Sequence, residues 1–241
     1  LEKRCGFKLE EAKPYTFTSR KDLYGWLQDH EGNWHYTLFV ENGRVVDDEK
    51  LPLKTALLEI AETGKATFRF TSNQNIILSD ITDANKESIE IILKNYNIIQ
   101  HNEQASAFRK NAIACVALPT CPLALAEAQR YMPELISKIE PLLARYGLMD
   151  DEIITRMTGC PNGCARPYAA EIGLIGTSAG HYNLHLGGDR EGTRLNIKYK
   201  ENLNEEGLLN VLDELLETYK AKRKEAESFG DFALREKLVN I

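Results

Sequence analysis

The sequence predicts an α+β protein in two units, one over residues 28–105 and one over residues 106–241, behind a linker at residues 1–27. Three observations predict it. Between Trp34 and Asn95 the residue types alternate in the order β-β-α-β-β-α, a compact layered unit. After Asn111 the character changes to short apolar runs broken by Pro, Gly and Cys. Across its 241 residues the chain is 43% hydrophobic, enough to bury a sizeable core.

Residues 1–27 carry Pro14 and several aromatics with no clear period, hence the linker. Trp34–Val40 is rich in β-formers, and Glu41-Asn42-Gly43-Arg44 is predicted to turn it into Val45-Val46 as a hairpin. Leu51-Pro52-Leu53 opens a helix to Glu62, with Leu53, Leu57, Leu58 and Ile60 as its apolar stripe and Gly64 as its stop. Thr67–Thr71 and Asn75–Leu78 follow as strands. Residues 84–95 form a helix with Ile89, Ile92 and Leu93 inward. In the second unit Ile113–Leu118 is a short apolar run. Pro122 starts a helix through Leu123, Ala126 and Arg130, and Pro133 restarts it towards Tyr146-Gly147. Ile153–Met157, Ile172–Gly176 and Tyr182–Leu186 read as strands. Asn204 caps a long helix with Leu208, Leu212, Leu215 and Tyr219 on one face, and Lys220–Glu227 is a solvated charged end.

A net charge of -6 with dispersed basic residues argues against nucleic acid as a partner. Apolar runs such as Ile113–Pro119 are too short to cross a bilayer, so no membrane is expected. The start at Leu1 has no signal-peptide pattern, and the chain reads as cytoplasmic and as beginning inside a longer protein. Five cysteines in a reducing compartment point away from disulfides. Cys5 stands apart, as a buried small residue or a surface thiol.

Cys115 and Cys121 flank a strand-to-helix turn, and Cys160 and Cys164 flank Pro161-Asn162-Gly163. Thiolates are soft ligands, and four of them suit an iron–sulfur cluster or structural zinc. The Pro-Asn-Gly turn is predicted to aim both of its thiolates to one side. Zinc ribbons pair cysteines two to four residues apart, so the five-residue gap between Cys115 and Cys121 fits zinc poorly. Spacing alone leaves the cluster, zinc and buried structural cysteines open.

The segments Ala114-Cys115-Val116-Ala117-Leu118-Pro119-Thr120-Cys121-Pro122 and Thr158-Gly159-Cys160-Pro161-Asn162-Gly163-Cys164 resemble the C-x5-C and C-x3-C signature of the siroheme-containing sulfite and nitrite reductases. So do Asn33–Arg44, Asn73-Gln74-Asn75, Tyr182–Gly188 and Gly230-Asp231-Phe232, so that the likeness covers nearly the whole chain, and it is closest to the sulfite reductase hemoproteins.

The resemblance implies a ferredoxin-like half-domain followed by an α/β siroheme and 4Fe-4S domain, together the carboxy-terminal half of a two-half protein. It implies that Cys115, Cys121, Cys160 and Cys164 bind a [4Fe-4S] cluster and that Cys164 is also the siroheme axial ligand. Asn162 is a further candidate towards a siroheme carboxylate. The implied activity is reduction of sulfite to sulfide, with a flavoprotein partner passing electrons from NADPH. Catalytic residues that grip sulfite are expected in the amino-terminal half, so this chain alone is expected to be inactive. Ferredoxin-dependent nitrite reductase is the alternative within the family, and a zinc-stabilised, non-catalytic interaction module is the alternative outside it. Arg156, Arg166, Arg190 and Arg194 lie near the motif, where surface solvation or a local ion pair is the simpler account of each. Arg69 and Gln74 match a heme-contacting motif loosely. His35, His181 and His185 read as structural histidines.

Overall fold

The computed structural model describes residues 2–14, 16 and 20–240. The elements run α1 (Glu2–Cys5), β1 (Gly25–Gln28), β2 (Trp34–Leu38), α2 (Leu53–Thr63), β3 (Thr67–Phe70), β4 (Ile76–Ile81), α3 (Asp83–Asn95), α4 (Ile98–Gln104) and α5 (Ala107–Lys110). They continue β5 (Ala112–Ala114), α6 (Met132–Tyr146), β6 (Thr155–Thr158), β7 (Ile172–Ser178), β8 (His181–Leu186), β9 (Ile197–Leu203), α7 (Glu205–Lys222) and α8 (Phe229–Arg235).

The first unit is an antiparallel sheet in the order β1-β2-β4-β3. Leu38, Leu78 and Ile81 meet Ile60 of α2 and Ile89 and Leu93 of α3 in its core. Gly64 ends α2 in the left-handed region at φ 64°, as the sequence predicts.

The predicted hairpin after β2 does not form. Glu41–Gly43 is a turn of 3-10 helix with Asn42 at φ 50°, and Val45 and Val46 stay outside the sheet. The partner of β2 lies before it instead: β1 pairs in register from Gly25↔Thr37 to Gln28↔Trp34. Asp29 makes that turn by accepting from the backbone N–H groups of Glu31 and Asn33 at 2.9 and 2.8 Å. The expected linker therefore ends before Gly25. Leu58 is also corrected, since it is 55% exposed while Ala56 takes its place in the core.

The second unit is a mixed sheet in the order β5-β6-β7-β8-β9, with β5, β6 and β7 parallel and the rest antiparallel. α6 and α7 pack together over it, sharing a core with Met157, Leu174 and Leu184. Asn204 caps α7 by accepting from the Gly207 N–H at 2.9 Å. The predicted helix from Pro122 is absent. Residues 121–131 run as turns in which Ala126 and Ala128 are buried, and the helix starts only at Met132 with a proline in its first turn. β9, although Leu195–Lys200 alternates apolar and polar residues, and α8 both escape the sequence reading. Among the described residues no helix is long and apolar enough to cross a membrane.

Candidate functional site

Parallel strands send their following loops off the same edge of a sheet. β5 and β6 are adjacent and parallel, in register from Ala112↔Thr155 to Ala114↔Met157. Cys115 comes directly after β5, and Cys160 comes two residues after the end of β6. The two cysteine loops therefore leave neighbouring strand ends side by side.

Backbone hydrogen bonds knit them together. The Cys115 N–H donates to Met157 O at 3.1 Å, and the N–H groups of Leu125 and Ala126 both donate to Gly159 O at 2.8 and 3.0 Å. The Gly159 N–H points at Cys115 Sγ, 3.3 Å away, and Thr158 Oγ1 lies 3.4 Å from the same sulfur. Gly159 is small by necessity, because a Cβ there would stand 2.6 Å from both Ala117 Cβ and Ala126 O. A Cβ on Gly176 of β7 would stand 2.6 Å from Gly159 O, so two glycines let three chain segments touch.

In the first loop Ala117 is at φ 48°, the Leu118–Pro119 peptide is cis, and the Cys121 N–H donates back to Ala117 O at 2.8 Å. In the second loop Gly163 is at φ 72°, with Asn162 exposed beside it. Tyr168 clamps this turn: its hydroxyl donates to Pro161 O at 3.1 Å, and a Cβ on Gly163 would meet its ring at 3.0 Å.

The turn leaves its two thiols in different environments. Cys160 is buried and Cys164 exposed, while Cys115 and Cys121 are half-buried. All four are free thiols, and Cys5 is an exposed one. Among the described residues no three Cys, His, Asp or Glu side chains are assembled closely enough to hold a metal ion. The loops are adjacent, but the four sulfurs do not stand as a ligand set. The donor chemistry itself, soft sulfur with a backbone N–H aimed at one of them, is the kind that iron–sulfur clusters use.

The first unit reaches into this edge. Gln74, at φ 67°, donates through Nε2 to Ala114 O at 2.9 Å, directly before Cys115. Gln129 Nε2 donates to Asn42 O at 3.0 Å, and Arg166 Nη2 donates to Ser72 O at 2.7 Å. Arg69 instead pairs with Asp80 at 3.0 Å, away from the loops. Arg194 is satisfied locally by Gly187 O and Asp231. Arg156 is buried, and the Nε of Arg190 is enclosed without a partner among the described residues. His35 meets Asp29 at 3.0 Å and His181 meets Ala179 O at 2.9 Å, as structural histidines do. His185 packs edge-on against Tyr168, and burial lowers its pKa. Thr158, Gly159, Gly176 and Tyr168 were not legible as site residues, since their roles depend on which segments become neighbours.

The family model described as nitrite/sulfite reductase ferredoxin-like half domain matches residues 27–96. Over 235 residues the chain is 59% identical to a protein of Leptospira biflexa named sulfite reductase [NADPH] hemoprotein beta-component, covering 98% of this chain and 42% of that protein. The protein of the same name from Serratia proteamaculans is 47% identical over 239 residues, covering 99% of this chain and 42% of its own length. The chain thus spans about two fifths of the curated relatives it matches. A solved structure titled Structure of Mycobacterium tuberculosis NirA protein shares the fold, with a TM-score of 0.77 at 22% identity over 98% of this chain and 45% of that one.

Proposed function

Because the chain belongs to the nitrite and sulfite reductase family, we propose that it is the cluster-carrying, carboxy-terminal part of the hemoprotein component of an assimilatory sulfite reductase. The whole protein would reduce sulfite to sulfide in the cytoplasm, with electrons from NADPH delivered by a flavoprotein partner. One observation carries this reading: 59% identity over 98% of the chain to a protein bearing that name. The proposed division is a ferredoxin-like half-domain to residue 105, opened by β1, and a cluster and siroheme domain beyond it.

In this reading Cys115, Cys121, Cys160 and Cys164 would hold a [4Fe-4S] cluster, and the exposed Cys164 would also ligate the siroheme iron. The two groups, when bound, supply single-electron storage next to an iron that binds the substrate. The chain's own residues set the conditions. The Gly159 N–H stabilises negative charge on Cys115 Sγ, which raises the potential of any cluster bound there. Burial keeps water from the Cys160 sulfur. Tyr168 and Gly163 hold the turn that presents Cys164 and Asn162 outward. The residues that grip sulfite, and most of the siroheme enclosure, belong to the amino-terminal half, so this chain alone would hold siroheme weakly.

Anaerobic reconstitution with iron and sulfide tests the cluster. The expected product is brown, with stoichiometric iron and acid-labile sulfide and a paramagnetic reduced state, and Cys160→Ser loses all three. A colourless protein that takes up zinc and no iron would overturn the cluster assignment. In the full-length protein, turnover of nitrite in preference to sulfite would redirect the substrate.

A further inference from the structure

Arg156 is the middle of β6, yet its residue surface is only 2% exposed. Its neighbours on the strand divide by face: Met157 enters the core under α6 and α7, while Arg156 and Ile154 line a cavity on the other side. That cavity, of about 20 Å³, lies at the seam between the units, where Arg20, Asp22, Tyr24 and Asn73 close over Ile113.

The guanidinium is unusual in what it lacks. Its Nε and Nη1 are enclosed and make no hydrogen bond among the described residues. No ion pair joins it to any described carboxylate. Burial pushes its pKa down to about 9, and the charged groups that act on it, Arg166 and Arg20, are both positive and add to that shift. Asp22, the one acid among the described residues of the cavity wall, is already engaged by Thr71 Oγ1 at 2.6 Å, Asn75 Nδ2 at 2.8 Å and Asn73 Nδ2 at 3.2 Å. Arg20 spends its donors on the carbonyls of Arg190 and Ala169, at 2.8 and 3.1 Å. A buried cation left unpaired in this way is strongly destabilising. A single water could satisfy the N–H groups but would compensate the charge only in part.

We propose that the cavity at Arg156 is an anion site that takes one negatively charged atom, either a free chloride-sized ion or one oxygen of a carboxylate from the rest of the protein. The size argues for this class. A cavity of about 20 Å³ holds roughly one water-sized group. The apolar wall of Ile113 and Ile154 strengthens the attraction by lowering the local dielectric.

Two measurements separate the sources. Crystals of the chain soaked in bromide should give an anomalous peak within hydrogen-bonding reach of Nε and Nη1. In solution at fixed ionic strength, exchanging gluconate for chloride should raise the unfolding midpoint saturably. Arg156→Met should abolish that rise and match or exceed the wild type in gluconate, because it removes the unpaired charge. If Arg156→Met does not fold, Arg156→Lys should show a weakened chloride response, with a several-fold higher half-saturating concentration. If the full-length protein is insensitive to chloride and loses stability with Arg156→Met, a carboxylate is the natural occupant, and the site stands. A blank bromide map, no chloride response in the chain and no penalty for Arg156→Met in the full-length protein would together mean that water alone fills the cavity, and would overturn the site.

Discussion

The two units meet the same requirement with opposite chemistry. Where β2 ends, the buried N–H groups of Phe39 and Val40 are taken by neutral amides, Asn102 Oδ1 at 2.7 Å and Asn75 Oδ1 at 3.0 Å. Asn102 also donates, to Tyr36 Oη and Thr37 O, so the amide is satisfied at both ends. In the second unit the buried N–H groups of Ile154 and Gly230 go to the two oxygens of one carboxylate, Glu171, at 2.9 and 3.0 Å. Glu171 is wholly buried, and desolvation raises its pKa above the ordinary 4.5, outweighing the two N–H donors. The first unit closes on itself with neutral groups. The second buries an acid and a base, Glu171 just before β7 and Arg156 within β6, with Glu171 at the end of the sheet opposite the cysteine loops. A self-sufficient antiparallel sheet can serve as scaffold, and the parallel strands with their open ends carry the chemistry.

The largest test of this contrast compares two glycines. Gly159→Ala forces a Cβ to 2.6 Å from a backbone oxygen and a buried methyl, so the two cysteine loops must part. Overpacking of this kind costs about 1–3 kcal/mol or more. Gly64→Ala at the end of α2 meets nothing within 4 Å and suffers only the left-handed backbone, about 1–2 kcal/mol. Urea denaturation ranks the two, and thiol labelling should accelerate at Cys115 only in Gly159→Ala. Equal costs with unchanged labelling would mean the loops are not held by this contact.

A smaller effect separates amide from carboxylate. The folded state holds the Glu171 proton more tightly than the unfolded chain does. Its contribution is therefore complete below about pH 4.5 and declines as pH rises through the raised folded value. Glu171→Gln weakens one hydrogen bond, costing about 1 kcal/mol at low pH. The gap to wild type should then narrow as pH rises. Parallel stability profiles for the two proteins would show that Glu171 carries no such linkage.

The smallest contrast concerns caps. Asn204 accepts from Gly207 N–H, whereas Thr82 at the start of α3 makes no side-chain cap bond. Asn204→Ala should cost about 1 kcal/mol, and Thr82→Ala only a few tenths. Thermal unfolding of the pair decides it, and the prediction fails if Thr82→Ala costs as much.

The helices α2, α3, α6 and α7 were legible because each buries one stripe, and three of them carry a local boundary signal, Gly64 after α2, Gly147 after α6 and Asn204 before α7. The hairpin after β2 was misread because Glu-Asn-Gly suits both a two-residue turn and a 3-10 turn. Only pairing with β1 and β4 decides between them. The run after Pro122 was misread because its alanines are buried by contact with Gly159 and Gly176, not by helical period.

For the site, residue type and spacing alone singled out Cys115, Cys121, Cys160 and Cys164, because soft sulfur in paired loops is a local and chemically narrow pattern. Spacing could not say that the loops leave adjacent parallel strands, that Gly159 joins them, or that Cys160 is buried while Cys164 is exposed. Nor could it separate Arg156 from Arg194, two arginines near the same motif. One ends in a local ion pair and the other at the seam between the units, with its Nε and Nη1 unpartnered among the described residues. Local chemistry is written in residue types, whereas burial and pairing depend on segments far apart in the chain becoming neighbours, and only the tertiary structure decides that.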